Sequence, residues 1–111
     1  MINDIFEISD FFKALGDSTR IRLLKLLLSY NNLCVGMIAQ KLKITQPAVS
    51  QHLKILKNKG IVEGKRIGFH VHYNIKDDVF KKFGIRLEKI IKITEGDSKL
   101  KDKCKSSIKS V

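Results

Sequence analysis

A single acid, Glu63, stands among eleven lysines and arginines between residues 18 and 76 of this 111-residue chain. Acid–base catalysis commonly draws on paired Asp or Glu, so that stretch is poor ground for it. Ser50 and His52 are two apart, a spacing that turns helical side chains about 200° from each other and so rules out a nucleophile–base pair. There is no G-x-S-x-G, phosphate loop or carboxylate dyad. No enzyme and no cofactor is expected. The two cysteines, Cys34 and Cys104, are too few and too far apart for a disulfide framework. No apolar run approaches the ~18 residues of a membrane span; the longest, residues 33–39, contains Gly36. No membrane partner is expected. The N-terminus is acidic and lacks a signal-peptide pattern, which makes the cytoplasm the expected location.

What the chain has in excess is positive charge, a net +11. It is concentrated in residues 18–76 and again among the lysines after residue 98, and it marks a polyanion, nucleic acid first, as the partner. The length fits one domain. Residues 1–94 are expected to form it, and residues 95–111 to be a basic, flexible tail.

Periodicity predicts a mainly α fold with a β-hairpin wing. Ile5, Ile8, Phe12 and Leu15 fall at helical spacing before Gly16. Asp17 or Ser18 then caps a helix over 19–29 that is apolar on nearly all sides and so expected at the buried centre. A short helix over 35–42 turns inward through Ile38 and Leu42. After the turn at residues 43–45, Thr45 caps a helix from Gln46, with Pro47 in its first turn. Val49, Leu53 and Leu56 face inward, and Gln46, Ser50, Gln51, Lys54 and Lys57 lie on or near the opposite face. The period then becomes two, predicting a hairpin with a basic tip at 64–68 and Phe69, Val71, Tyr73 and Ile75 facing the core. Asp77 or Asp78 is expected to cap a last helix to about Ile93. Its apolar stripe of Phe80, Phe83, Leu87 and Ile90 wants a partner.

A short helix, a three-residue turn and a polar-faced second helix form a helix-turn-helix, which seats its second helix in the major groove of double-stranded DNA. Gln46, Ser50, Gln51 and His52 are the candidates near base edges, Lys54, Lys57, Lys65, Arg66 and His70 those near phosphate, and Thr45 a further DNA contact at the start of the helix. The rival readings are a nonspecific architectural DNA binder, which the polar set on the second helix weighs against, and an RNA binder, which would need aromatic stacking platforms.

From about Phe11 to Ile93 the chain resembles the ArsR/SmtB-type winged-helix repressors. The resemblance is carried by residues 12–24 (FKALGDSTRIRLL), 33–35 (LCV), 45–56 (TQPAVSQHLKIL) and 60–62 (GIV). It implies a homodimer built on the first and last helices, here through Ile5, Ile8, Phe12, Phe80, Phe83, Leu87 and Ile90. It also implies binding to an imperfect inverted repeat and release by an inducer. Of the family's Cys-Val-Cys metal site only Cys34 remains, in Cys34-Val35-Gly36. Of its last-helix site Asp77 matches, but Val79, Ile90 and Ile93 stand at the other three positions, so no metal is expected there. His70 and His72 share a strand side about 7 Å apart, but have no nearby carboxylate or cysteine to complete a metal site. Cys34 and Cys104 are either a thiol sensor or a buried core cysteine and a bystander.

Overall fold

The computed structural model describes residues 2–92. The elements run α1 (Ile2–Leu15), α2 (Ser18–Ser29), β1 (Leu33–Cys34), α3 (Val35–Leu42), α4 (Gln46–Asn58), β2 (Val62–Ile67), β3 (His70–Ile75) and α5 (Val79–Ile91). The expected tail and Cys104 lie outside the described residues. Asp17 starts α2 by accepting the Arg20 backbone N–H at 3.0 Å, and Thr45 starts α4 by accepting that of Ala48 at 3.3 Å. Between α3 and α4, Lys43 adopts the left-handed conformation (φ 58°) that reverses the chain in three residues.

The core is where α2, α3, α4 and the base of the sheet converge. Leu23, Ile38, Val49, Leu56 and Ile61 are fully enclosed there, with Phe11 and Ala14 closing it from α1. The inward set of α4 is the one its spacing predicts.

Several expectations are corrected. Helix α2 buries one side only: Leu23, Leu24 and Leu27 are enclosed against α1, α3, α4 and β3, whereas Ile21 and Leu28 are exposed on the side that no element covers. On α1 the inward residues are Ile8, Phe11 and Ala14, leaving Ile5 and Phe12 outside. Neither Asp77 nor Asp78 caps α5 through its side chain; Asp78 holds the cap position in a left-handed turn (φ 60°).

The sheet has three antiparallel strands in the order β1-β3-β2. The short β1 was missed, since two residues show no period. The hairpin is longer than expected: residues 64–67 are paired strand, and the turn is Gly68-Phe69 between the partners Ile67 and His70. Phe69 and Val71 are exposed rather than core-facing, because the wing runs on beyond the core that receives Ile75 and Tyr73.

Candidate nucleic-acid interface

Helix α4 separates two surfaces. Val49, Leu53 and Leu56 anchor it, and around the helix from them Gln46, Ser50, Gln51, Lys54 and Lys57 are all exposed. Thr45 is exposed at the start of the helix, its hydroxyl oxygen engaged in the cap. The result is a strip about three turns long of amide, hydroxyl and ammonium groups on a rigid element, of the size that enters a major groove.

His52 does not belong to this strip. It is half-buried, and its Nδ1 lies 3.4 Å from Arg20 Nη1 on α2. It lies on the flank of the buried row away from Ser50 and Lys54, which turns its ring toward Arg20 of the neighbouring helix. Arg20 was not singled out from the sequence. Besides facing His52, it donates from Nε to the Ala14 carbonyl at 2.5 Å and from Nη2 to the Lys13 carbonyl at 3.3 Å. Helix α4 is thereby joined through one guanidinium to the end of α1 and the start of α2. The hydrogen bond from the Arg20 N–H is the main effect holding the Asp17 carboxyl below its ordinary pKa; burial opposes it, and the Arg20 charge adds a smaller lowering effect.

On the wing, Lys65 and Arg66 project from opposite faces of β2, opposite His72 and Val71 of β3. Lys65 is 4.0 Å from Glu63 and still mostly exposed. His70 is exposed next to the turn. His72 is not free to pair with it, since its Nδ1 lies 2.7 Å from the Asn32 carbonyl. Among the described residues there is no group of three or more His, Cys, Asp or Glu able to hold a metal ion.

Cys34 is a free thiol at the junction of β1 and α3, half-buried rather than enclosed. It borders a cavity of about 320 Å³ between the wing and the start of α4, whose wall also includes Gln46, Phe69, His70, Val71 and Tyr73.

Helix α1 packs on α5. Phe83 stacks on Phe11 at 3.9 Å, and Arg86 joins Glu7 and, at 2.9 Å, Asp4. Of the residues expected at a dimer interface, Ile5, Phe12 and Phe80 are exposed and Phe83, Leu87 and Ile90 half-buried. Ile8 is the exception: at 5% exposure it is spent on its own chain. Phe6 and Ile91, exposed by about two thirds, extend the surface.

Residues 17–64 match the family model described as bacterial regulatory protein, arsR family. The chain is 41% identical over 87 residues to an uncharacterized HTH-type transcriptional regulator, MJ1325, of Methanocaldococcus jannaschii, a match covering 78% of this chain and 90% of that protein. It is 36% identical over 72 residues to a transcriptional repressor SmtB homolog of Synechocystis, covering 65% of this chain and 54% of that one. Among solved structures, it resembles an ArsR-like transcriptional regulator from Rhodococcus (TM-score 0.72, 25% identity, 96% of this chain and 92% of that one). It also resembles the homodimeric winged helix-turn-helix DNA-binding domain Mb0332 of Mycobacterium bovis (TM-score 0.62, 28% identity, 76% and 75%). These similar proteins carry the names of regulators, not enzymes.

Proposed function

The chain belongs to the arsR family of winged helix-turn-helix DNA-binding regulators, and on that premise we propose that it is a repressor that binds an inverted-repeat operator as a homodimer. The observation that carries this reading is the exposed polar and basic strip of α4, held by a buried opposite row and flanked by a basic wing. Gln46, Ser50 and Gln51 read base edges, while Lys54, Lys57, Lys65, Arg66 and His70 meet phosphate. Two-fold symmetry through α1 and α5 places two copies of α4 about one helical turn apart. Release by a thiol-reactive inducer, such as arsenite, an oxidant or a polysulfide, is the proposed control. Its support is the half-exposed thiol of Cys34 beside the first residue of α4.

The test is binding of the full-length reduced protein to fragments spanning its own promoter and to random duplexes, before and after adding arsenite or a mild oxidant. One fragment is expected to bind far more tightly than random DNA and to be released by the thiol reagents from wild type but not from Cys34→Ser. Equal affinity for every duplex would replace this reading by that of a nonspecific architectural binder. A preferred fragment that is released equally from Cys34→Ser would remove the thiol from the mechanism and leave the operator reading standing.

A further inference from the structure

Phe69 is 98% exposed, the most open large apolar side chain among the described residues, and it occupies the tip of the wing. Nothing in the fold accounts for it. The two-residue turn has a positive φ at Gly68 (64°) and not at Phe69, the sign pattern of a type II′ hairpin turn, which needs glycine first and leaves the second position open to many residues. An apolar ring is unfavourable to leave in water. Gly68 adds no side chain, so the ring is the bulk of a narrow tip. Strand pairing runs right up to Ile67 and His70, which fixes the backbone that carries the ring before any partner arrives.

The surroundings select the partner. Arg66 and His70 flank the tip with Lys65 one residue further back, and the nearest carboxylate along either strand, Glu63, lies toward the base of the hairpin beside Lys65. An apolar point flanked by two cations, Arg66 and Lys65, suits a polyanion that has an apolar interior. The tip is also continuous with the recognition surface, since Phe69 and Gln46 border the same cavity. With α4 in a major groove, the grooves' alternation along the duplex sets the tip at the flanking minor groove, about 6 Å wide.

Building on the DNA-binding reading above, we infer that Phe69 is a wedge that inserts between two base pairs from the minor groove, unstacking that step and bending the duplex away from the wing. Arg66 and His70 hold the phosphates on either side. Bending is easiest at flexible pyrimidine–purine steps, so the wedge selects operators that carry one at a fixed distance from the α4 contacts. The wing thus adds specificity through deformability and not through hydrogen bonds.

The experiment uses full-length protein and a 30-base-pair duplex selected from a random pool by the wild type. The duplex carries donor and acceptor fluorophores at its ends and is probed separately with permanganate for unstacked thymines. Wild type is expected to raise energy transfer and to expose one reactive step per half-site. Phe69→Ala is expected to bind about tenfold more weakly, without the bend or the reactivity, and Phe69→Leu to restore both in part. Circular dichroism spectra matching wild type exclude misfolding. A wild type that binds a straight, unreactive duplex overturns the wedge while leaving DNA recognition intact. Phe69→Ala bending the DNA as wild type does also overturns it, as does a change in that variant confined to self-association or vesicle binding. A wild type that selects no duplex removes the underlying DNA-binding reading itself.

Discussion

Asp17 shows how much one short side chain decides. Its carboxylate accepts the Arg20 N–H at 3.0 Å, which begins α2, and Arg20 in turn reaches the end of α1 and His52 of α4. The hydrogen bond favours the ionised carboxylate, so its pKa in the folded chain lies below the ordinary value of 3.8 that the unfolded chain approaches. A depressed folded pKa means that the stabilisation is fully present above about 3.8 and is lost as pH falls through the folded value. Asp17→Asn keeps a cap acceptor but cannot titrate. The difference in melting temperature between wild type and Asp17→Asn is therefore expected to be constant from pH 7 to about 5 and to shift against wild type toward pH 2.5; parallel curves throughout would detach Asp17 from acid stability. The cap was legible as Asp17 or Ser18, because Asp and Ser are both good caps before an apolar run. The role of Arg20 was not legible, because its partners lie six, seven and thirty-two residues away and no local pattern encodes them.

At the scale of elements, the helices were readable and the sheet only partly so, for reasons that Gly64 illustrates. In sequence it opens a Gly-Lys-Arg-Ile-Gly stretch that looks like a turn. In the structure it is a strand residue paired with Tyr73, and a Cβ there would come 2.9 Å from Val71 Cγ1 and 3.0 Å from Tyr73 Cε1. The glycine is required by two large neighbours on the next strand and not by a backbone bend, a reason that lies seven and nine residues away. Gly64→Ala is accordingly expected to force Val71 and Tyr73 outward and to cost about 1–3 kcal/mol of stability, the usual cost of overpacking. Denaturant melts would show it as a lower midpoint. DNA affinity would fall as well, because the strand carrying Lys65 and Arg66 tilts. An unchanged midpoint would mean that the wing accommodates the methyl group freely. Helix α4, by contrast, was read correctly from Thr45 to its inward row, since a capping residue, Pro47 and three apolar positions all point to one answer.

For the molecule as a whole, affinity and assembly are one problem. In the proposed operator complex a single α4 with one wing meets one half-site, and the salt dependence of DNA binding counts the phosphates neutralised. If two protomers together make some 6–10 phosphate contacts, affinity falls by about 10³ to 10⁵ between ~50 and ~200 mM salt. A protomer alone would show about half that logarithmic slope. The surface proposed to join the two copies is the outer side of α1 and α5, where Phe12 and Phe80 are 47% and 40% exposed with Phe6 and Ile91 nearby. Apolar side chains spread over two packed helices form the kind of patch that a two-fold axis can bury against itself. Placing a carboxylate there adds an unpaired charge to the joint while leaving Phe11, Ala14 and the rest of the core in place. Phe12→Glu is therefore expected to sediment as a folded monomer at micromolar concentration and to bind the selected duplex far more weakly. Its slope of log affinity against log salt should be about half that of wild type. A variant that remains dimeric with an undiminished slope would place the two-fold axis on another face. One that is monomeric but keeps the full slope would show that a single protomer makes all the phosphate contacts.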